Sequence, residues 1–308
     1  MLQQTRVETV IPYFGRFLAR FPDVRALADA PEADVLAAWS GLGYYRRARL
    51  LHRGAKVVAE AGGKVPSTRG ALLDVPGIGR YTAGAIASIA FGEPVGLVDG
   101  NVARVFARLF AIEDDVKKSM KRFERLADAL VAPEDPGAFN QALMELGATV
   151  CTPRSPDCGA CPVAPMCVAR AEKRQGSLPV ISAKKPPKAL AQRALVLVRG
   201  DAVVLMRRNG EGIFAGMWEP PRFDGTKKAE VAALARLGVT RATKVGRVVH
   251  VLTHRRLEID VLVAAAPKRL RCLDPDYEDV RLVGLHDLGE LGVATLARKI
   301  LRAADAHD

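Results

Sequence analysis

No stretch of the 308 residues is apolar for long enough to span a bilayer; a run of about 18 apolar residues would be needed. Acidic residues are scarce as well. Asp and Glu number 34 against 46 Lys and Arg, which leaves a net charge of +12 at pH 7. A deficit of that size makes a polyanion the first partner to consider. The opening residues Met1-Leu2-Gln3-Gln4-Thr5 lack a basic segment followed by an apolar one, so no signal peptide is read there. A cytoplasmic protein is expected, and with it no disulfide framework from the five cysteines. No internal repeat relates the two halves of the chain.

What is present divides by periodicity. Residues 1–150 read as nearly all helix. Apolar residues recur at helical spacing in Val7-Val10-Ile11-Phe14-Phe17-Leu18, with Pro12 as a kink. Further helical runs are 32–39, 45–60, 67–74, 81–91, 102–110, 118–130 and 138–150, punctuated by Gly and Pro. Residues 168–191 form a basic, proline-stiffened linker. Beyond it the period changes to short strands, 194–198, 202–206, 245–252 and 257–264, with helical runs 227–237 and 293–304. The expected organisation is a helical domain over 1–167, the linker, and an α+β domain over 192–308.

Three features carry chemistry. Cys151, Cys158, Cys161 and Cys167 follow C-x6-C-x2-C-x5-C. Four thiolates so close in sequence suit one metal centre, a structural zinc or a four-iron cluster. Cys272 stands apart and reads as a small, half-buried apolar residue. Leu73-Asp74-Val75-Pro76-Gly77-Ile78-Gly79-Arg80-Tyr81 joins two helical runs through a Gly-rich turn, with Pro76, Gly77 and Gly79 at its tip. Such a turn brings backbone amides close to an anion, a phosphate grip. Asp99, in Val98-Asp99-Gly100-Asn101, sits at the N-cap of the next helix.

Together these motifs resemble the helix–hairpin–helix glycosylases of the endonuclease III superfamily. The resemblance narrows to the MutY family of adenine DNA glycosylases through Leu2-Gln3-Gln4-Thr5, Gly41-Leu42-Gly43-Tyr44-Tyr45, Val98-Asp99-Gly100-Asn101 and Phe139-Asn140-Gln141-Ala142-Leu143-Met144-Glu145. It is close over residues 1–167 and looser beyond. The family implies a [4Fe-4S] cluster on the four cysteines and a monomer, associated with the nucleoid, acting on double-stranded DNA that contains an adenine mispair. It implies that Asp99 faces an oxocarbenium-like sugar, with Tyr81 and Asn101 orienting it. Gln4 and Tyr44 resemble residues that wedge into the duplex while adenine is flipped out. Leu2 and Glu145 match positions of the adenine pocket. Tyr81 stands where bifunctional relatives carry a nucleophilic lysine, so a monofunctional enzyme is expected.

The family's general acid is a glutamate two residues ahead of the methionine that is Met1 here. The expectation is a true start upstream. A lesion binder without efficient excision and an endonuclease III-type AP lyase are the alternatives. The C-terminal domain resembles a MutT-like, Nudix-type fold through Gly212-Ile213-Phe214-Ala215-Gly216-Met217-Trp218-Glu219-Pro220-Pro221. Its hydrolytic helix would need several carboxylates for Mg²⁺, and the run 219–238 offers only Glu219 and Glu230 as glutamates. Recognition without nucleotide hydrolysis is expected. Leu252-Thr253-His254 resembles the family's Phe-Ser-His loop, which places Thr253 and His254 at the lesion.

Overall fold

The computed structural model describes residues 1–3, 5–183, 186–210 and 212–305. The chain forms two compact units, Met1–Lys56 with Lys185–Asp308, and Val57–Lys184. The helices, in chain order, are α1 (Val7–Arg20), α2 (Val24–Asp29), α3 (Glu32–Trp39), α4 (Arg46–Glu60), α5 (Arg69–Leu73), α6 (Arg80–Ala85), α7 (Gly100–Leu109), α8 (Val116–Leu130), α9 (Pro136–Glu145), α10 (Val168–Ala171), α11 (Lys227–Arg236) and α12 (Thr295–Asp305).

In the unit Val57–Lys184, short polar residues set the helix starts. Thr68, Asp99, Asp115 and Asp135 each accept hydrogen bonds from first-turn amides of α5, α7, α8 and α9. That satisfies donors the helix leaves without partners. Both α6 and α9 end in a π turn, Ile86–Ala90 and Leu146–Val150. The core gathers Leu97, Val102, Phe106 and Ile112 against Phe123 and Ala127 of α8. Gly137 lies against the backbone of Ser88 and Ile89, where an added Cβ would meet Ser88 O at 3.1 Å. There the fully buried Asn140 donates to Ser88 Oγ and to the Val95 carbonyl, both at 2.9 Å.

The other unit is built on a seven-stranded mixed sheet: β1 (Lys188–Arg199), β2 (Ala202–Arg208), β3 (Trp218–Glu219), β4 (Arg222–Asp224), β5 (Thr243–Val251), β6 (Arg255–Ala265) and β7 (Tyr277–Gly284). Its main path is β3-β2-β1-β6-β5, with β4 on β1 and β7 on β2. The pair β1–β6 is parallel, from Lys188 opposite Arg255 to Val198 opposite Ala265; the other ladders are antiparallel. One cluster of buried residues on the sheet comprises Leu195, Leu197, Val204, Met206 and Leu262, and Cys272 packs half-buried against it. The first helices belong to this unit. Ser40 donates to the Val293 carbonyl at 2.7 Å, and a Cβ on Gly292 would lie 3.3 Å from Leu36 Cβ. The compact units therefore group residues 1–56 with the sheet, a partition different from the ranges 1–167 and 192–308. Strand β1 takes up the end of the segment read as linker.

Candidate functional site

Asp99 caps α7 with one oxygen and leaves the other to a neighbour. Its Oδ1 accepts from the amides of Asn101 and Val102 at 2.8 and 2.7 Å. Its Oδ2 accepts from Asn101 Nδ2 at 3.1 Å. The carboxylate is only partly buried. Asn101 Oδ1 accepts in turn from Arg104 Nη2 at 2.9 Å. Arg104 also donates to the carbonyls of Gly147 and Cys151, at 2.6 and 2.8 Å. Gly147 has no room for a side chain, since a Cβ there would fall 2.7 Å from Asn101 Cβ. The side chains of Asp99 and Asn101 are thus held in one orientation from both sides. The spacing of capping residue, amide and arginine along one helix turn is what allows this.

Tyr81, on the helix that follows the hairpin, donates to Met144 Sδ at 3.4 Å. Burial, and then the negative charge of Asp99, push its phenol above the usual value. A group kept protonated beside a carboxylate can donate a hydrogen bond but is a poor nucleophile. In the hairpin, Gly77 has φ of +91°, a left-handed conformation that favours glycine. Gly79 occupies the N-cap of α6 and supplies no side chain to the first-turn amides. Pro76 is half-buried at the turn. Glu145 ends α9 exposed to solvent, and Leu2 is exposed in the other unit.

The four cysteines of the loop are free thiols lining one cavity, shared with Val105, Arg108 and Arg170. Arg108 is almost wholly buried, yet its guanidinium is fully engaged. It donates to the carbonyls of Leu178, Thr152 and Pro153 at 2.9, 2.7 and 2.9 Å and approaches Cys151 Sγ at 3.3 Å. Cys167 Sγ lies 3.6 Å from the Arg108 carbonyl. Burial, then the three neighbouring cysteines, raise the Cys158 thiol above its usual value. Among the described residues no three potential ligands converge on a single ion. A zinc ion draws four sulfurs to about 2.3 Å from one centre. Four thiols lining one cavity are the donor set that an iron–sulfur cluster takes, so the residues fit such a group.

Arg47 organises the opening segment beside Tyr44. It donates to the carbonyls of Met1 and Gln3 and to Thr5 Oγ1, and its guanidinium lies 5.3 Å from the Tyr44 ring centroid. Gln4 lies outside the described residues. Tyr44 is 52% exposed and has φ of +49°, an unusual backbone state for an aromatic residue. The turn Gly41–Tyr45 and the loop Leu252–His254 line the same groove of about 1140 Å³, together with Phe214, His250, Arg49 and Arg53. Thr253 and His254 are exposed at its wall. Burial, then Lys299 and Arg222, lower the His250 imidazole, which favours its neutral form.

The glutamates of the Nudix-like segment are both engaged. Glu219 is fully buried and accepts from Arg208 Nε at 2.6 Å, Arg222 Nη2 at 2.9 Å and Tyr277 Oη at 3.0 Å. Glu230 pairs with Arg193 and, at 2.7 Å, with Lys227. Arginines hold both carboxylates where a hydrolytic site would present them to Mg²⁺. Sequence reasoning missed Arg104 and Arg108, whose i, i+4 spacing within the apolar run of α7 was the available signal. Arg47, Phe214 and His250 lie in or beside the segments that carry the resemblance, which gives them no role of their own.

Residues 1–131 match the HhH-GPD superfamily of base excision DNA repair proteins. Residues 151–167 match the iron–sulfur binding domain of endonuclease III, and residues 193–303 the NUDIX domain. The adenine DNA glycosylase of Mus musculus is 35% identical over a 364-residue alignment that covers all of this chain and 70% of the mouse protein. This chain belongs to the adenine DNA glycosylase family. The Homo sapiens member is 39% identical over 320 aligned residues, 85% of this chain, and the match spans 59% of the human protein's length. A solved thermostable thymine-DNA glycosylase superposes with a TM-score of 0.51 at 30% identity, covering 56% of this chain and 80% of that one. The fold is the family's: a helical glycosylase domain with an iron–sulfur loop, followed by a Nudix-like domain. A [4Fe-4S] cluster is its cofactor. The relatives do not favour the lyase or the non-catalytic alternative. No helix among the described residues is long and apolar enough to cross a membrane.

Proposed function

We propose that the protein acts as a monomer on double-stranded DNA and hydrolyses the N-glycosidic bond of adenine mispaired with 8-oxoguanine or guanine. The observation that carries this reading is the fixed Asp99–Asn101 pair beside a tyrosine instead of a lysine. As adenine departs, positive charge builds on the sugar. A carboxylate held by three hydrogen bonds stabilises that charge without having to reorganise. Water then adds to the sugar carbon, its hydroxyl going to the sugar and its proton balancing the one that the departing adenine takes up, which leaves free adenine and an abasic site. Tyr81 orients the sugar and forms no Schiff base, because a phenol is no amine. The strand therefore stays intact.

The remaining roles are those that the family resemblance implies. Pro76, Gly77 and Gly79 let backbone amides approach a phosphate. The resemblance assigns Gln4 and Tyr44 to wedging into the duplex, and it assigns Leu2 and, separately, Glu145 to adenine recognition. Thr253 and His254 read the opposite base from the wall of the groove. Cys151, Cys158, Cys161 and Cys167 hold the cluster, which when bound ties the loop together. Arg104 and Arg108 fasten that loop to α7, the helix that Asp99 caps.

The test is a duplex with one adenine opposite 8-oxoguanine, followed for free adenine and for strand breaks before and after alkali. Adenine release with breaks only after alkali is expected. Breaks before alkali, or a borohydride-trapped covalent adduct, would overturn the assignment of Tyr81.

A further inference from the structure

Helix α8 carries a basic face that the proposed site does not use. Lys117, Lys121 and Arg125 stand one turn apart, and Lys118 and Arg122 run beside them. All five are exposed. Among the described residues none of them has an ion-pair partner. The opposite face is buried through Ser119, Phe123 and Ala127. The two acids of the helix itself are paired elsewhere, and the exposed Asp114 just ahead of it has no ion-pair partner among the described residues. Glu124 lies 3.6 Å from Arg80, and Asp128 is 2.6 Å from Arg69. Ahead of the helix, Glu113 pairs with Arg174, and Asp115 accepts from the amide and hydroxyl of Ser182.

These pairings also locate the stripe. Arg80 opens the helix that leaves the hairpin, and Arg69 opens the helix that enters it. The acidic edge of α8 therefore faces the hairpin helices, with the basic face next to it. From Lys117 to Arg125 the helix rises about 12 Å, a length over which duplex DNA carries about seven phosphates. We infer that this face of α8 is a second phosphate-binding track, which engages the DNA backbone flanking the segment gripped by the hairpin. The inference rests on the DNA-binding reading above and extends its footprint.

The test compares two duplexes with the same 8-oxoguanine–adenine pair. One ends a single helical turn either side of the mispair, and the other is two turns longer on each side. The variant combines Lys121→Gln, Arg122→Gln and Arg125→Gln. On the long duplex it is expected to bind roughly tenfold more weakly, with a salt slope smaller by about 0.9 for each phosphate that the variant no longer neutralises. Adenine release on the short duplex should stay within about twofold of the parent, and its binding should fall less than that of the long duplex, in proportion to the track phosphates that it lacks. A charge-preserving swap, Lys121→Arg with Arg122→Lys and Arg125→Lys, should behave as the parent on both. Unchanged binding of the Gln variant to the long duplex would overturn the track. So would equal losses on both duplexes, which would mean a general field, or a loss in the swap that matches the Gln variant. If the unaltered protein binds neither duplex, the DNA reading itself fails.

Discussion

Two carboxylates define the two units by contrast. Asp99 is partly open, and its partners are backbone amides and an asparagine. Glu219 is sealed from water, and its partners are two arginines and a tyrosine. The first arrangement fixes a negative charge without cancelling it. The second cancels the charge and turns the residue into a strut of the sheet. Proximity to basic residues is therefore no sign of a functional acid; what matters is whether charge is left over. By that measure our proposal puts the reacting site in the helical unit, while the two glutamates of the Nudix-like segment are paired with arginines.

Several substitutions would break or sharpen that contrast. The largest effect is expected for Glu219→Ala. Removing one partner of a buried ion network strands Arg208 and Arg222, a loss of about 3–5 kcal/mol in unfolding free energy. Chemical denaturation should register that loss, while adenine release per folded molecule should hardly change. Gly147→Ala should be milder in stability, about 1–3 kcal/mol, because the added methyl meets Asn101. Unlike the first, it should slow adenine release, since Asn101 and through it Asp99 must shift. Equal rates for Gly147→Ala and the parent would mean that Asn101 does not position Asp99.

The smallest effect concerns Asp115. The Ser182 hydroxyl, then its amide, hold this carboxyl down to about 2 from the ordinary 3.8. A depressed folded value means that the contribution is present above pH 3.8 and fades as the pH falls from there toward 2. Attachment of the segment at Ser182 should therefore survive at neutral pH. Hydrogen exchange around Ser182 should rise only in that acid window, and Asp115→Asn should remove the transition.

The sequence was most legible where a local rule decided the outcome. The helix over Glu32–Trp39 falls where its pattern ends, and Asp99 is the cap its position implied. The Cys spacing and the hairpin glycines likewise express local geometry. Non-local facts were hidden. Strand β7, Tyr-Glu-Asp-Val-Arg-Leu-Val-Gly, is too charged to read as a strand, and its existence depends on pairing with β2. The two-residue β3 has no pattern to detect. Arg104 and Arg108 look like solvated residues until the carbonyls of residues 147–153 and 178 close around them. The association of the first helices with the sheet, seen in Ser40 against Val293, leaves no trace in either segment alone.

The most direct test of the account is the single-turnover rate of adenine release by Asp99→Asn on a duplex with adenine opposite 8-oxoguanine. The amide keeps the size and one acceptor of the cap but removes the charge. A fall on the order of 100-fold or more is expected, with duplex binding and thermal melting little changed. An unchanged rate would contradict the account and reduce Asp99 to a helix cap.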